Sequence, residues 1–225
     1  MPDPIFAGPR VKIERAKRFI AELGLEVEQY LASNPGSVQI AMVNGEPKAR
    51  VTIEPIGHMP SAIIGDCIHN LRTALDQMAS ELARINDKSD KDVYFPFSDG
   101  PNTFEAAIET KRFAKAGEDA VLLLKEFKPY RGGNDDLRAI HDLDIIDKHT
   151  AIIPPQFQFE TNVQFTYDVN DPPSGTGTAT VAGELTFPAG TSLAGRKVLP
   201  TLEELVEMVH GIIEAFASLV DERIA

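Results

Sequence analysis

The order of predicted elements favours an α+β fold, in which a bundle of long helices packs with an antiparallel β-sheet. Predicted strands cluster in two places instead of alternating with helices, which argues against a doubly wound parallel sheet. Three long segments, residues 9–32, 60–86 and 199–224, each carry one apolar stripe at helical spacing. We expect these helices to bundle within a single α+β domain that covers residues 1–225.

The strands are predicted as an N-terminal hairpin and a C-terminal strand group. An Asn-Gly turn at residues 44–45 separates two runs of alternating, β-rich sequence, which is a good hairpin signal. Farther along, residues 156–169 alternate apolar and polar side chains in two runs on either side of Asn162, and residues 178–187 add a third strand. We expect both groups to form antiparallel β-structure.

Composition limits the classes of partner. The net charge is −12, and residues 151–225 contain 3 basic against 10 acidic residues, so a nucleic-acid partner is not expected there. No apolar run approaches the roughly 18 residues of a membrane-spanning helix. The single cysteine, Cys67, cannot form an internal disulfide, and the N-terminus lacks the apolar core of a signal peptide. These features predict a cytoplasmic protein.

Two predicted helices, residues 64–83 and 135–153, place charged side chains beside their apolar seams. On the first helix, His69, Arg72 and Asp76 form one stripe; on the second, Asp144 and Asp147 lie three residues apart near the buried face. Charge on a buried helix face needs a partner or a function. The candidate catalytic or binding residues are therefore His69, Arg72, Asp76, Asp144, Asp147, Lys148 and His149.

The cluster has a structural and a functional interpretation. In the structural one, Arg72 forms a bidentate pair with Asp144 or Asp147, Asp76 accepts from a His or Lys, and the network fixes how the two helices cross. In the functional one, the network opens to a cleft. A histidine there acts as acid or base, and Arg72 or Lys148 stabilises an anion.

A metal site is a further alternative. His141, Asp144 and His149, with Asp66 or His69 from the other helix, are chemically suitable ligands for zinc, manganese or iron. The spacing contains no His-x-x-x-His motif and no facing Glu-x-x-His motifs, so it is not diagnostic. The default prediction is that no cofactor is bound.

Two family resemblances rest on these motifs. The segments IGDCIHNLRTALDQMASELA, YFPFSD, KPYRGG and DLDIIDKHTAII resemble a family of uncharacterised bacterial and phage proteins, over residues 50–153. The first of these helices also resembles, more weakly, HEPN-type helical domains, many of which are ribonucleases that carry Arg followed by four to six residues and then His. Here Arg72 is followed at the required spacing by Gln77, so His69, His141 or His149 would have to supply the base.

The functional prediction keeps three classes. The preferred one is a non-enzymatic binding or assembly protein, with a second copy of the chain or a small molecule as its partner. The first alternative, implied by the resemblance, is a HEPN-like ribonuclease or nucleotide-binding enzyme that uses Arg72 and a nearby histidine. The second is a metal-dependent hydrolase that uses His141, Asp144 and His149. Whether the protein is an enzyme stays open.

Overall fold

The computed structural model describes residues 5–44, 46–149, 155–167 and 175–225. It confirms the α+β class within these residues. The helices are α1 (Ala7–Ala32), α2 (Met59–Ile85), α3 (Pro101–Thr110), α4 (Glu118–Phe127), α5 (Asp135–His149) and α6 (Val198–Ile224), with a 3₁₀ turn at Phe113–Ala116. The strands are β1 (Gly36–Val43), β2 (Glu46–Ile53), β3 (Gln156–Tyr167) and β4 (Gly175–Thr186).

The three long helices pack against one another as predicted. Helix α2 contacts both α1 and α6, and α1 also contacts α6. The α2 seam steps by three and four residues, which keeps it on one face of the helix. All of its members are fully buried: Ile64, Ile68, Leu71, Leu75, Met78 and Leu82. This continuous apolar seam makes α2 the central helix of the bundle.

The strands form two separate two-stranded antiparallel sheets, β1–β2 and β3–β4. In the first, Val43 pairs with Glu46 across the predicted turn, where Asn44 adopts a left-handed φ of 55°. The two sheets pack against each other without strand pairing. A Cβ atom on Gly36 of β1 would lie only 2.6 Å from Val181 Cγ2 of β4, so this close approach needs glycine.

One strand prediction is wrong. Residues 156–169 were expected to form two runs on either side of Asn162, but β3 continues through this residue, which pairs with Thr180 of β4. Asn162 lies in the middle of a ladder whose hydrogen bonds are all made by the backbone. The Asn162 side chain is exposed, and a strand tolerates a polar residue on its solvent-facing side without a turn.

Helix α5 begins where the sequence indicates. The Asn134 side-chain Oδ1 accepts a hydrogen bond from the Leu137 backbone N–H at 3.0 Å, as a helix N-cap does. Helix α5 then packs on α2 and α6. Its Asp144 and Asp147 are thereby carried to the side of α2 that holds the other candidate residues.

Among the residues described, no helix combines the length and the apolarity needed to cross a bilayer.

Two helical glycines provide a matched test of the α2–α5 contact. A Cβ on Gly65 of α2 would overlap the Asp147 carboxylate, whereas a Cβ on Gly24 of α1 would meet no atom within 4 Å. We expect Gly24→Ala to raise the free energy of unfolding by about 0.5–1 kcal/mol through helix propensity. Gly65→Ala should give no such gain until Asp147→Ala removes the overlap. Urea unfolding of the double-mutant cycle measures this, and equal gains at both glycines in the wild-type background would contradict it.

Candidate functional site

A polar stripe on α2 holds the extended segment of residues 93–97 against the bundle. Asp76 Oδ1 accepts a hydrogen bond from the Phe95 backbone N–H at 2.9 Å, and Arg72 Nη2 donates to the Phe95 carbonyl at 3.3 Å. One turn farther along, Ser80 Oγ donates to the Val93 carbonyl at 3.0 Å. Residues four apart on a helix share a face, so these three side chains act on the segment as a neighbouring strand would.

Arg72 is committed to this internal role. It is 7% exposed, its Nη2 lies 3.0 Å from Asp76 Oδ1, and its guanidinium carbon lies 4.4 Å from the centroid of the Phe97 ring. Burial lowers the pKa of Arg72 and raises the pKa of Asp76, although their mutual attraction opposes both shifts. The guanidinium is therefore an internal ion-pair partner with an aromatic contact.

The predicted pairing of Arg72 with Asp144 or Asp147 is wrong, and so is the prediction that Asp76 accepts from a histidine or lysine. The ion pair of Arg72 is with Asp76 on its own helix, at i,i+4. The path of residues 93–97 explains the difference. This segment brings a backbone donor and a backbone acceptor to α2, and the Arg72–Asp76 pair is placed to satisfy both.

Asp144 instead connects α2 to α5 through His69. Asp144 is 5% exposed; its Oδ1 lies 3.0 Å from His69 Nδ1, and its Oδ2 accepts from Lys148 Nζ at 2.8 Å. Because an ionised carboxylate only accepts, Nδ1 carries the proton of a neutral His69. The other ring nitrogen, Nε2, is 3.4 Å from Thr73 Oγ1. The polar contact between the two helices is therefore made by His69 and Asp144, and Arg72 takes no part in it.

The His69 side chain is 45% exposed and Lys148 is similarly accessible, so this half of the cluster faces solvent. Asp147 lies beside it against Gly65. Partial burial raises the pKa of Asp147, and the nearby charges of Asp66 and Asp144 raise it further. We name the accessible residues His69, Thr73, Asp147 and Lys148, together with the buried Asp144 that holds two of them, the α2–α5 patch.

His141 lies on the buried side of α5, away from a ligand role. Its ring stacks on Phe97 with centroids 5.0 Å apart and planes inclined by 6°. Burial lowers the pKa of His141 to about 3, and the positive charges of Arg72 and Arg138 contribute in the same direction. The imidazole is therefore neutral at physiological pH.

Three residues that the sequence analysis did not select also belong to this site: Arg138, Asp142 and Phe97. Arg138 is buried, and its Nη2 contacts Asp142 Oδ1 at 3.1 Å and Asp99 Oδ1 at 2.9 Å. An Arg-x-x-x-Asp spacing on a helix was a usable signal for this pair. Phe97 had no comparable signal, because its role depends on how the extended segment folds back over α2.

The metal alternative gains no support from the described side chains. Among them, no three His, Cys, Asp or Glu residues come together in a set that could hold a metal ion. Asp144 is engaged by His69 and Lys148, and His141 stacks on Phe97. The side chain of His149, the last residue of α5, lies outside the described part of the structure.

Compared with protein-family models, curated proteins and solved structures, the chain matches none. The two resemblances drawn from sequence motifs therefore stay predictions.

Arg72→Ala should lower the free energy of unfolding by about 3–5 kcal/mol, because it removes the cation paired with the partly buried Asp76 carboxylate and the donor to the Phe95 carbonyl. Denaturant unfolding measures the loss. The matched control is Arg112→Ala, which removes an exposed arginine 3.2 Å from Asp92 and should change stability by less than about 0.5 kcal/mol. An R72A protein as stable as the wild type would show that Arg72 does not hold the segment.

The neutral His141 should make stability depend on pH. The ordinary histidine pKa is 6.5, and that of folded His141 is about 3, so below pH 6.5 the unfolded chain binds a proton that the folded chain does not. The free energy of unfolding should then fall on acidification, by about 2 kcal/mol from pH 7 to pH 5 for this group. His141→Phe keeps a ring on Phe97 and removes this contribution. Parallel pH profiles of the two proteins would contradict the assignment.

Proposed function

We propose that this chain is a non-enzymatic binding or assembly protein whose polar cluster is divided between two tasks. The buried half, Arg72 and Asp76, is a scaffold. The exposed half, the α2–α5 patch, recognises a small polar ligand. The observation that carries this proposal is the burial of Arg72, because a guanidinium enclosed by Asp76, Phe95 and Phe97 is not available to an external substrate.

The α2–α5 patch has properties suited to recognition. Asp144 is buried and holds His69 with one carboxylate oxygen and Lys148 with the other, so both exposed groups are fixed in orientation. Preorganised polar groups bind at a smaller entropic cost than free side chains do. Lys148 Nζ offers a donor, while His69 Nε2 is shared with the Thr73 hydroxyl 3.4 Å away, so the patch favours a polar ligand that accepts a hydrogen bond from Lys148.

A groove between α1 and α6 supports self-assembly as part of the same proposal. It encloses about 640 Å³, with the buried Ile20 and Val206 in its floor. Lys17 lies on the α1 side and Glu207 on the α6 side. In a second copy related by a two-fold axis parallel to the groove, α1 would face α6 of the first copy. Lys17 and Glu207 lie 3.9 Å apart across the groove of one chain, so such a dimer would exchange this ion pair for the same pair between the two copies.

One observation favours an acid–base enzyme as a second candidate. A buried carboxylate on His69 Nδ1 and a hydroxyl near Nε2 are the contacts that orient a general base. The ribonuclease form of this idea is less well supported, because Arg72 is buried and Gln77 occupies the position where the motif has its histidine.

Ligand screening of the wild type and His69→Gln tests the proposal. A ligand of the α2–α5 patch should raise the melting temperature of the wild type by several degrees and that of H69Q much less, since mass action stabilises only the form that binds. The matched control is His210→Gln, which changes an equally exposed histidine on α6 and should respond like the wild type.

The same proteins should be incubated with RNA and with nucleotides. If the wild type cleaves or turns over one of these substrates, and H69Q abolishes that activity while H210Q retains it, the protein is an acid–base enzyme and the binding proposal is wrong. A ligand response that H69Q retains in full would contradict the assignment of the patch.

A further inference from the structure

Strand β3 forms an outer edge of the β-structure. Strand β4 pairs with β3 and contacts β1, whereas β1 pairs with β2, so β2 and β3 are the two outer strands. Among the described residues, β4 is the only strand that pairs with β3. Alternate N–H and C=O groups along β3 therefore point away from β4, toward the side where another chain can pair with them.

The two outer strands differ in the features that prevent pairing at an edge. Strand β2 contains Pro47, which has no N–H to donate, and the cationic Lys48 and Arg50. The 12 residues of β3 include no proline, lysine or arginine, and Glu160 is their single charged residue. The edge of β2 is therefore protected against pairing with another strand, and the edge of β3 is not.

The β3–β4 hairpin is supported near its base and exposed farther along. Phe157 of β3 packs on Tyr30 of α1 with ring centroids 5.2 Å apart, and Phe159 stacks on Phe157 at 5.0 Å. Phe159 is 41% exposed, and Thr161 and Asn162 beyond it are exposed as well. A two-stranded ribbon is marginally stable by itself, so a further strand on this edge would stabilise it.

An identical strand fits this edge in an antiparallel register. A two-fold axis perpendicular to the sheet keeps side chains on their own face only if opposed residues are an even number of positions apart. A ladder centred on Thr161 meets this condition and joins residues 157–165 of the two copies. It places Phe159 opposite Val163 of the second copy, and an aromatic ring opposite a β-branched side chain is a favourable cross-strand pair.

The charges of β3 agree with this register. The chain has a net charge of −12, so two copies repel each other overall, and an edge with a single charge is suited to their contact. On the second face of the ladder, Glu160 lies opposite Asn162 of the other copy. The Asn162 amide can donate a hydrogen bond to the Glu160 carboxylate, and no two like charges of β3 oppose each other.

We propose that two copies of this chain associate by antiparallel pairing of their β3 strands. The two hairpins then form one four-stranded sheet in the order β4–β3–β3–β4. Backbone hydrogen bonds supply the affinity, and the Phe159–Val163 and Glu160–Asn162 contacts set the register. This surface uses no residue of the α2–α5 patch or of the α1–α6 groove, so it goes beyond the function proposed for them.

Sedimentation equilibrium of the full chain and of Thr161→Lys tests the proposal. We expect the wild type to dimerise with a Kd on the order of 10–100 μM, as suits a small interface. T161K should weaken the dimer about tenfold or more, because two lysines then face each other at the axis. Thr52→Lys adds the same charge at an exposed position of β2 and should leave the dimer unchanged. A wild type that stays monomeric up to about 1 mM, or equal weakening by T161K and T52K, would overturn the proposal.

Cross-linking gives a second test, which does not require β3 to tolerate a lysine. Directly opposed residues of an antiparallel pair have Cα atoms about 4.5–5.5 Å apart, which is within the range of a disulfide. The native Cys67 is fully buried, so mild oxidation reports on an introduced thiol. Thr161→Cys should give a covalent dimer on a non-reducing gel, and Thr52→Cys should give none. Equal cross-linking of T161C and T52C, or none of either, would contradict the β3 contact.

Ala21→Arg separates this surface from the α1–α6 groove. It places a charged side chain in the groove and should leave β3 pairing unchanged. A dimer that A21R dissociates and T161K retains would assign the association to the groove and overturn the β3 proposal.

Discussion

The structure around the candidate site depends on one interaction, the Phe95 peptide held between Arg72 and Asp76. A buried peptide group needs both a donor and an acceptor, and the backbone of α2 has none to spare because its own groups bond within the helix. Two side chains one turn apart supply what is missing. The desolvation of the two charges is offset only because each also bonds to the backbone.

The need to satisfy the Phe95 peptide gives different roles to neighbouring polar residues of α2. Arg72 and Asp76 are turned toward the extended segment, while His69, one turn earlier, reaches Asp144 and remains accessible. Burial, together with the positive charges of Arg72 and Arg138, keeps His141 uncharged where it stacks on Phe97. The candidate residues therefore form a buried scaffold and an exposed patch.

Part of the site could be predicted from the sequence. Charges beside the α2 seam and on α5 indicated polar contacts between the two helices, and His69 does lie against Asp144. The partner of Arg72 could not be predicted, because it depends on where residues 93–97 cross α2. That segment has no periodic pattern, and its proline removes one backbone donor.

By itself, the sequence determined the long helices, the first hairpin, the start of α5 and the α+β class, since these follow from local periodicity, turn residues and capping. Only the tertiary structure decided that β3 runs unbroken through Asn162, that the strands form two sheets, and that Arg72 faces inward. The physical reason is the range of the interactions. A helix seam or a cap is set by residues within one or two turns. The partner of a buried charge or peptide is set by segments that meet only when the whole chain packs.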